Sequence, residues 1–203
     1  MKPNTHQYFI VNKPFSVLSQ FSPLEGKKTL KDFFNVPADV YPVGRLDYDS
    51  EGLLILTNDK NLNHYLLNPQ FEHQREYWVQ VEGEINHSAV NSLESGVGIS
   101  INGKLYRTKK CKVKVFSNEP SVTERNPPIR FRKNIPTSWL RLTLTEGKNR
   151  QVRKMCAAIG FPVLRLIRYS IEKITIESLP PGEMRKLKRE ELYTLLRIVN
   201  NFK

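Results

Sequence analysis

The chain has 203 residues, 39% of them hydrophobic, and carries 32 Lys+Arg against 20 Asp+Glu for a formal net charge of +12. That length supports a packed core unaided, and the two cysteines, Cys111 and Cys156, make no C-x-x-C pair, which argues against a zinc site or a secreted disulfide framework. No apolar run nears the roughly 20 residues of a membrane span, and MKPNTHQYFIVNKP lacks the uninterrupted apolar core of a signal peptide, so a soluble cytoplasmic protein is expected.

The charge is unevenly spread. Residues 1–100 hold 8 Lys+Arg against 12 Asp+Glu, net −4, whereas residues 101–203 hold 24 against 8, net +16. Such asymmetry points to a face that attracts a polyanion, nucleic acid first among them.

In chain order, YFIVNKPFSVL reads as a strand entering a turn at Lys13-Pro14, and TLKDFF as a short helix stopped by Pro37. LLILT is a continuous apolar run that fits a buried strand, and DKNLNHYLLNP places Leu62, Tyr65 and Leu66 at helical spacing. REYWVQVEG alternates Tyr77, Val79 and Val81 against Trp78 and Gln80, the two-residue period of a strand. HSAVNSLESG reads as a helix ending at Gly96, and Asn102-Gly103 as the turn of a hairpin. KKCKVKVF sets Cys111, Val113 and Val115 toward a core and Lys110, Lys112 and Lys114 outward. SWLRLTLTEG puts Leu140, Leu142 and Leu144 on one face. GKNRQVRKMCAAIG is amphipathic in the helical sense, with Val152, Met155, Cys156 and Ile159 as its apolar stripe. Strands outnumber helices and the hairpin favours antiparallel pairing, so the expected class is α+β with a mixed, mostly antiparallel sheet.

Against this basic background, VGRLDYDSEGLLILTND sets Asp47, Asp49 and Glu51 at alternate positions after Arg45. The first six positions of DYDSEG match a calcium loop, but Asn58 stands where a bidentate Glu is needed and the intervening residues are the apolar run of a strand. Grouped carboxylates also suit magnesium, yet Arg45 would compete with the ion and there is no glycine loop to grip phosphates. Most of the cluster reads as a solvated acidic turn, with one carboxylate held ionised at a strand end by an arginine. The residues alone do not choose between Asp47 and Asp49.

GRLDYDSEGLLILTND resembles the central motif of the pseudouridine synthases, in the branch of the small-subunit rRNA enzyme RsuA. YFIVNKPFSVLSQF, REYWVQVEG and EGKNRQVRKMCAAIGFPVLRLIRYSI agree with that branch in order, and together they span almost the whole chain. VLSQF and ERNPPIRFRKNIPTSWL resemble its large-subunit rRNA enzymes most. The resemblance implies one catalytic domain over residues 1–203, with two lobes flanking a basic cleft and no separate N-terminal RNA-binding domain. It implies isomerisation of one uridine of large-subunit rRNA, by a monomer that needs no metal, no organic cofactor and no membrane.

By the same resemblance Asp47 is the catalytic nucleophile, Tyr77 lies against the target base, and Arg153 pairs with the aspartate. Arg45 helps hold the flipped nucleotide. RNA contacts are expected from Lys148, Arg150 and Lys154 around Arg153, from Lys110 and Lys112 on the basic strand, and from Arg130, Arg132 and Lys133, which with Arg125 make a semi-rigid basic loop. Two positions depart from the pattern: Arg75 stands where many relatives have lysine, and Ser16 where glycine is common.

Overall fold

The computed structural model describes residues 6–129 and 135–198, so Arg130, Arg132 and Lys133 lie outside the described residues. In chain order these form β1 (Tyr8–Lys13), β2 (Val17–Leu18), β3 (Lys28–Thr29), a 3-10 turn (Leu30–Asp32), β4 (Tyr41–Pro42), β5 (Glu51–Thr57), α1 (Lys60–Leu67) and a second 3-10 turn (Pro69–Phe71). There follow β6 (Arg75–Glu82), α2 (His87–Ser95), β7 (Gly98–Ile101), β8 (Lys104–Arg107), β9 (Lys112–Val115), β10 (Thr137–Leu144), α3 (Gln151–Ala158), β11 (Val163–Ile171), β12 (Ile174–Thr175), β13 (Met184–Leu187) and α4 (Arg189–Leu195). The class is α+β, as the residue pattern implies. The chain divides into two compact units, the first Met1–His73 with Arg168–Lys203, the second Gln74–Ile167.

In the first unit β1 pairs antiparallel with β5 on one side and β13 on the other, and β4 adds to β5. Alternate residues of β1 and β5 feed two cores. Tyr8, Ile10, Leu53 and Ile55 pack with Leu62 and Leu66 of α1 and Leu192 of α4, while Phe9, Val11, Leu54 and Leu56 pack with Val17, Leu30 and Phe34. A strand covered on both faces needs no polar alternation, which is why LLIL is continuously apolar. Leu53, Leu54, Ile55 and Leu56 are fully buried, each worth about 1.5–3 kcal/mol relative to exposure.

Asp59 starts α1 by accepting from the amides of Asn61 and Leu62, and its other oxygen takes the hydroxyls of Tyr8 and Tyr193. Burial opposes its charge, but the Leu62 amide, the two hydroxyls and His6 win and lower its carboxyl from the ordinary value.

TLKDFF departs from expectation: only Leu30–Asp32 turns, and in 3-10 form. The Asp32 carboxylate accepts from the Thr29 amide and hydroxyl at 2.7 and 3.0 Å, Phe34 turns into the core, and Pro37 blocks continuation. Ser16 has φ +55, a left-handed conformation that accounts for glycine being common there.

In the second unit β10 lies between β6 and β9, antiparallel to both, and β11 is the other neighbour of β6. Val79 and Val81, Leu140, Leu142 and Leu144, and Val113 share one core with Leu93 of α2 and Val152, Met155 and Cys156 of α3. The expected alternation of β9 holds for Val113 but fails at Val115, which is 49% exposed. The covering helix explains this. α2 ends at Ser95 and reaches β9 through Leu93 and Glu94, which bond Cys111 and Val113 and go no further. Asn102 and Gly103 take φ +50 and +78 and pair β7 with β8, the two left-handed residues of a tight hairpin turn.

The division into units sharpens the charge asymmetry. The second unit holds 17 Lys+Arg against 7 Asp+Glu, net +10, which leaves +2 of the total +12 for the first.

Candidate active site

The acidic motif enters from β4. Gly44, with φ +70, leads into Arg45–Leu46–Asp47, which lies outside any helix or strand, and the Ser50 amide closes a turn on the Asp47 carbonyl at 3.1 Å. Leu46 anchors that segment twice. Its side chain is buried, and its amide and carbonyl both bond the Ser19 hydroxyl, which accepts at 3.0 Å and donates at 2.8 Å. The neighbours are thereby turned outward, Arg45 exposed and Asp47 partly so. Tyr48, also exposed, has the Lys27 ammonium 5.2 Å from its ring centre.

The cluster is not the solvated acidic turn that its composition suggests. Ser50 and Glu51 are buried, because β5 begins at Glu51 and is covered on both faces. At Gly52, φ +108, an added Cβ would stand 2.7 Å from the Arg168 backbone nitrogen, so the close approach there admits only glycine. Among the described residues no group of three or more His, Cys, Asp or Glu could hold a metal ion. The three carboxylates alternate in sequence but divide in place: Asp47 precedes the turn, Asp49 lies in it, and Glu51 enters the strand.

What balances the buried acid escaped the sequence reading. Lys13, opposite Gly52 in the β1–β5 register, is fully buried, and its ammonium donates to the Pro14 and Val17 carbonyls at 3.0 and 2.7 Å. Burial pushes it down to about 7, against the opposing pull of Glu51, Asp49 and Asp47. A lysine beside a proline turn reads as a surface residue, and nothing in its spacing marks it otherwise. Arg168 is buried too, its Nε donating to the Leu53 carbonyl at 2.8 Å.

The second unit holds the other candidates. Tyr77 stands on β6 opposite Leu142 and packs at the edge of that unit's core. Arg153 projects from α3, partly buried, with a guanidinium nitrogen 3.4 Å from the Val163 carbonyl. Lys148 and Arg150 are exposed on the loop before α3, and Lys154 is half-buried on the helix. Lys110 and Lys112 are exposed at the start of β9. Arg125, expected to face phosphates, donates to the Pro127, Pro128 and Leu164 carbonyls and so organises its own loop.

The loop before α3 depends on a residue that the motif reading passed over. Glu146 is buried and accepts from the Gln151 side chain at 2.6 Å, the Lys109 amide at 2.9 Å and the Tyr106 hydroxyl. The Gln151 side chain in turn accepts from the Lys148 amide at 2.9 Å. Lys148 lies 5.1 Å over the Tyr106 ring, and Arg150 takes φ +51 as the residue before the helix. The Glu146 hydrogen bond comes first among the causes that push the Tyr106 hydroxyl up to about 12.

One unit thus presents a carboxylate and an arginine on a pinned loop, and the other an aromatic ring and an arginine on a helix amid exposed cations. A family model described as RNA pseudouridylate synthase matches residues 7–158, and the chain belongs to that family, whose members are isomerases acting on RNA. The chain is 49% identical, over 178 residues, to a Vibrio parahaemolyticus protein named ribosomal large subunit pseudouridine synthase E, which covers 88% of this chain and 72% of the relative. A Xanthomonas axonopodis protein of the same name is 45% identical over 85% of this chain and 89% of its own, and the Bacillus subtilis ribosomal large subunit pseudouridine synthase B is 35% identical over 97% and 74%. Among solved structures, a crystal structure of a pseudouridylate synthase superposes with TM-score 0.76 at 27% identity, covering 96% of this chain and 76% of that one. No helix among the described residues is long and apolar enough to cross a membrane.

Proposed function

We propose that this chain converts one uridine of large-subunit ribosomal RNA to pseudouridine, as a cytoplasmic monomer, with Asp47 as the carboxylate that opens the bond between base and sugar. The substrate rests on one observation: 49% and 45% identity, over most of the chain, to proteins named for that RNA. Uracil leaves ribose as an anion delocalised over its two carbonyls, so the step makes little demand for a strong general acid. The N1–C1′ bond breaks, the base turns, a C5–C1′ bond forms, and the C5 proton goes to solvent while N1 gains one. Electrons balance within the nucleotide. Asp47 starts this either by attack on the sugar or by removing a sugar proton, and both routes use the same ionised oxygen.

The remaining roles follow the motif positions. Tyr77 offers its ring to the extruded base, Arg45 holds the flipped nucleotide, and Arg153 supplies the cation that keeps the aspartate ionised in a dry site. Lys148, Arg150, Lys154, Lys110 and Lys112 contact phosphates, as do Arg130, Arg132 and Lys133. Binding should therefore weaken steeply with salt.

The test is tritium release from large-subunit rRNA carrying uridine labelled at C5. Asp47→Asn should lower release at least about 10³-fold while RNA binding and the circular dichroism spectrum stay as in wild type. Equal release from both proteins removes Asp47 from its role.

A further inference from the structure

The β7–β8 hairpin has two unlike faces. Ile99, Ile101 and Tyr106 turn into the core of the second unit. On the outer face the register sets Gly98 opposite Arg107 and Ser100 opposite Leu105. Leu105 is 87% exposed, the most exposed large apolar side chain among the described residues. It lies across its neighbour, with Cδ1 3.3 Å from where a Cβ on Gly98 would stand. The outer face therefore carries a leucine resting over a glycine, with a serine beside it and an arginine at its edge.

A lone exposed leucine needs no explanation. The charge around this one does. Lys104, Arg107, Lys109, Lys110, Lys112 and Lys114 fall within eleven residues, all exposed, and no carboxylate occurs in the sequence between Glu94 and Glu119. Such a field draws a polyphosphate. An exposed apolar side chain beside a hydroxyl and an arginine suits the wide, shallow minor groove of an RNA helix, where 2′-hydroxyls and riboses are displayed and phosphates line both edges.

We propose that the outer face of the β7–β8 hairpin is a docking surface for a double-helical segment of the substrate RNA. Leu105 and Gly98 meet the riboses, Ser100 a 2′-hydroxyl, and Arg107 a flanking phosphate. The hairpin holds its place through Tyr106, whose hydroxyl shares Glu146 with Gln151, so the docking face and the loop carrying Lys148 and Arg150 are fastened to one buried carboxylate. The proposal rests on the reading that the substrate is RNA, and it adds a recognition element that none of the motif residues includes.

The test separates the two. Affinity for a 20-base-pair RNA duplex, measured by fluorescence anisotropy, requires no turnover. Leu105→Ser should weaken it about fivefold, and Arg107→Ala about five- to tenfold with a salt slope lower by about 0.9. Both positions are exposed, and circular dichroism checks that the variants fold. Duplex affinity within twofold of wild type for both variants overturns the proposal. Release of tritium from large-subunit rRNA by wild type is scored separately, so its failure would remove the substrate reading and leave the duplex result to stand or fall alone. A benzophenone amino acid placed at position 105 should crosslink to RNA in cells; crosslinks to protein alone overturn the RNA assignment.

Discussion

Asp47 and Glu146 are carboxylates on motif loops of different units, and they are treated in opposite ways. Around Asp47 the fold fixes the backbone: one serine hydroxyl holds both the amide and the carbonyl of Leu46, and the acid beside it stays partly exposed. Around Glu146 the fold consumes the side chain, with three donors on two oxygens in a buried site. At the proposed catalytic carboxylate the described bonds hold the neighbouring backbone, whereas at the scaffolding carboxylate they are made to the side chain itself.

That contrast can be attacked from the scaffold side first. Glu146→Gln replaces an acceptor with an NH2 group facing donors, and should lower unfolding free energy by about 2–3 kcal/mol in urea titration with an unchanged m-value. A loss under about 0.5 kcal/mol would mean that the network is incidental. Ser19→Ala strips the partner from both backbone groups of Leu46. It should destabilise by about 1–2 kcal/mol, and because Asp47 loses its aim, kcat should fall about tenfold with KM within twofold. A stability loss with kcat unchanged would show that the serine holds the fold and not the acid.

Lys13→Met probes the buried cation on the Asp47 side. The folded state holds this lysine at about 7 whereas the unfolded chain keeps its ordinary 10.5, so between those values the unfolded state binds more protons. The penalty for burying the charge is fully present below about pH 7 and is relieved as pH rises toward 10.5. Wild-type stability should therefore gain relative to Lys13→Met across that window, and parallel pH profiles would place the charge elsewhere. The smallest effect belongs to Asp49→Asn, which should keep turnover within about threefold, since Asp49 lies in the turn. A loss as complete as for Asp47→Asn would mean that the cluster has been divided wrongly.

Much of this was legible before any coordinates. Periodicity placed α1, β6, β10 and α3, because an apolar stripe reports directly on which side faces a core, while β1 and α2 were marked by the Lys13-Pro14 turn and the Gly96 stop. The hairpin was legible from Asn102-Gly103, where two successive left-handed residues leave few choices. TLKDFF was misread because its pattern suits a helix, while Thr29 and Phe34 compete for its turn through contacts that spacing does not encode. Val115 was misread because alternation gives the face of a strand but not where its cover ends. At the candidate site, the proposed residues were picked out by the order of motifs in the chain. Lys13, Ser19 and Glu146 were not, since each acts through a burial or a hydrogen bond to a segment distant in sequence.

The two cysteines have a practical side. Cys156 is buried and Cys111 partly so, and burial pushes both thiols up to about 12, with the Cys111 sulfur also donating to the Leu93 carbonyl. At neutral pH the reactive thiolate fraction is then about a thousandfold below that of an ordinary exposed cysteine near 8.5. The native chain should therefore react with maleimides far more slowly than an exposed cysteine does. A single cysteine introduced on the hairpin's outer face should take a dye or spin label ahead of both.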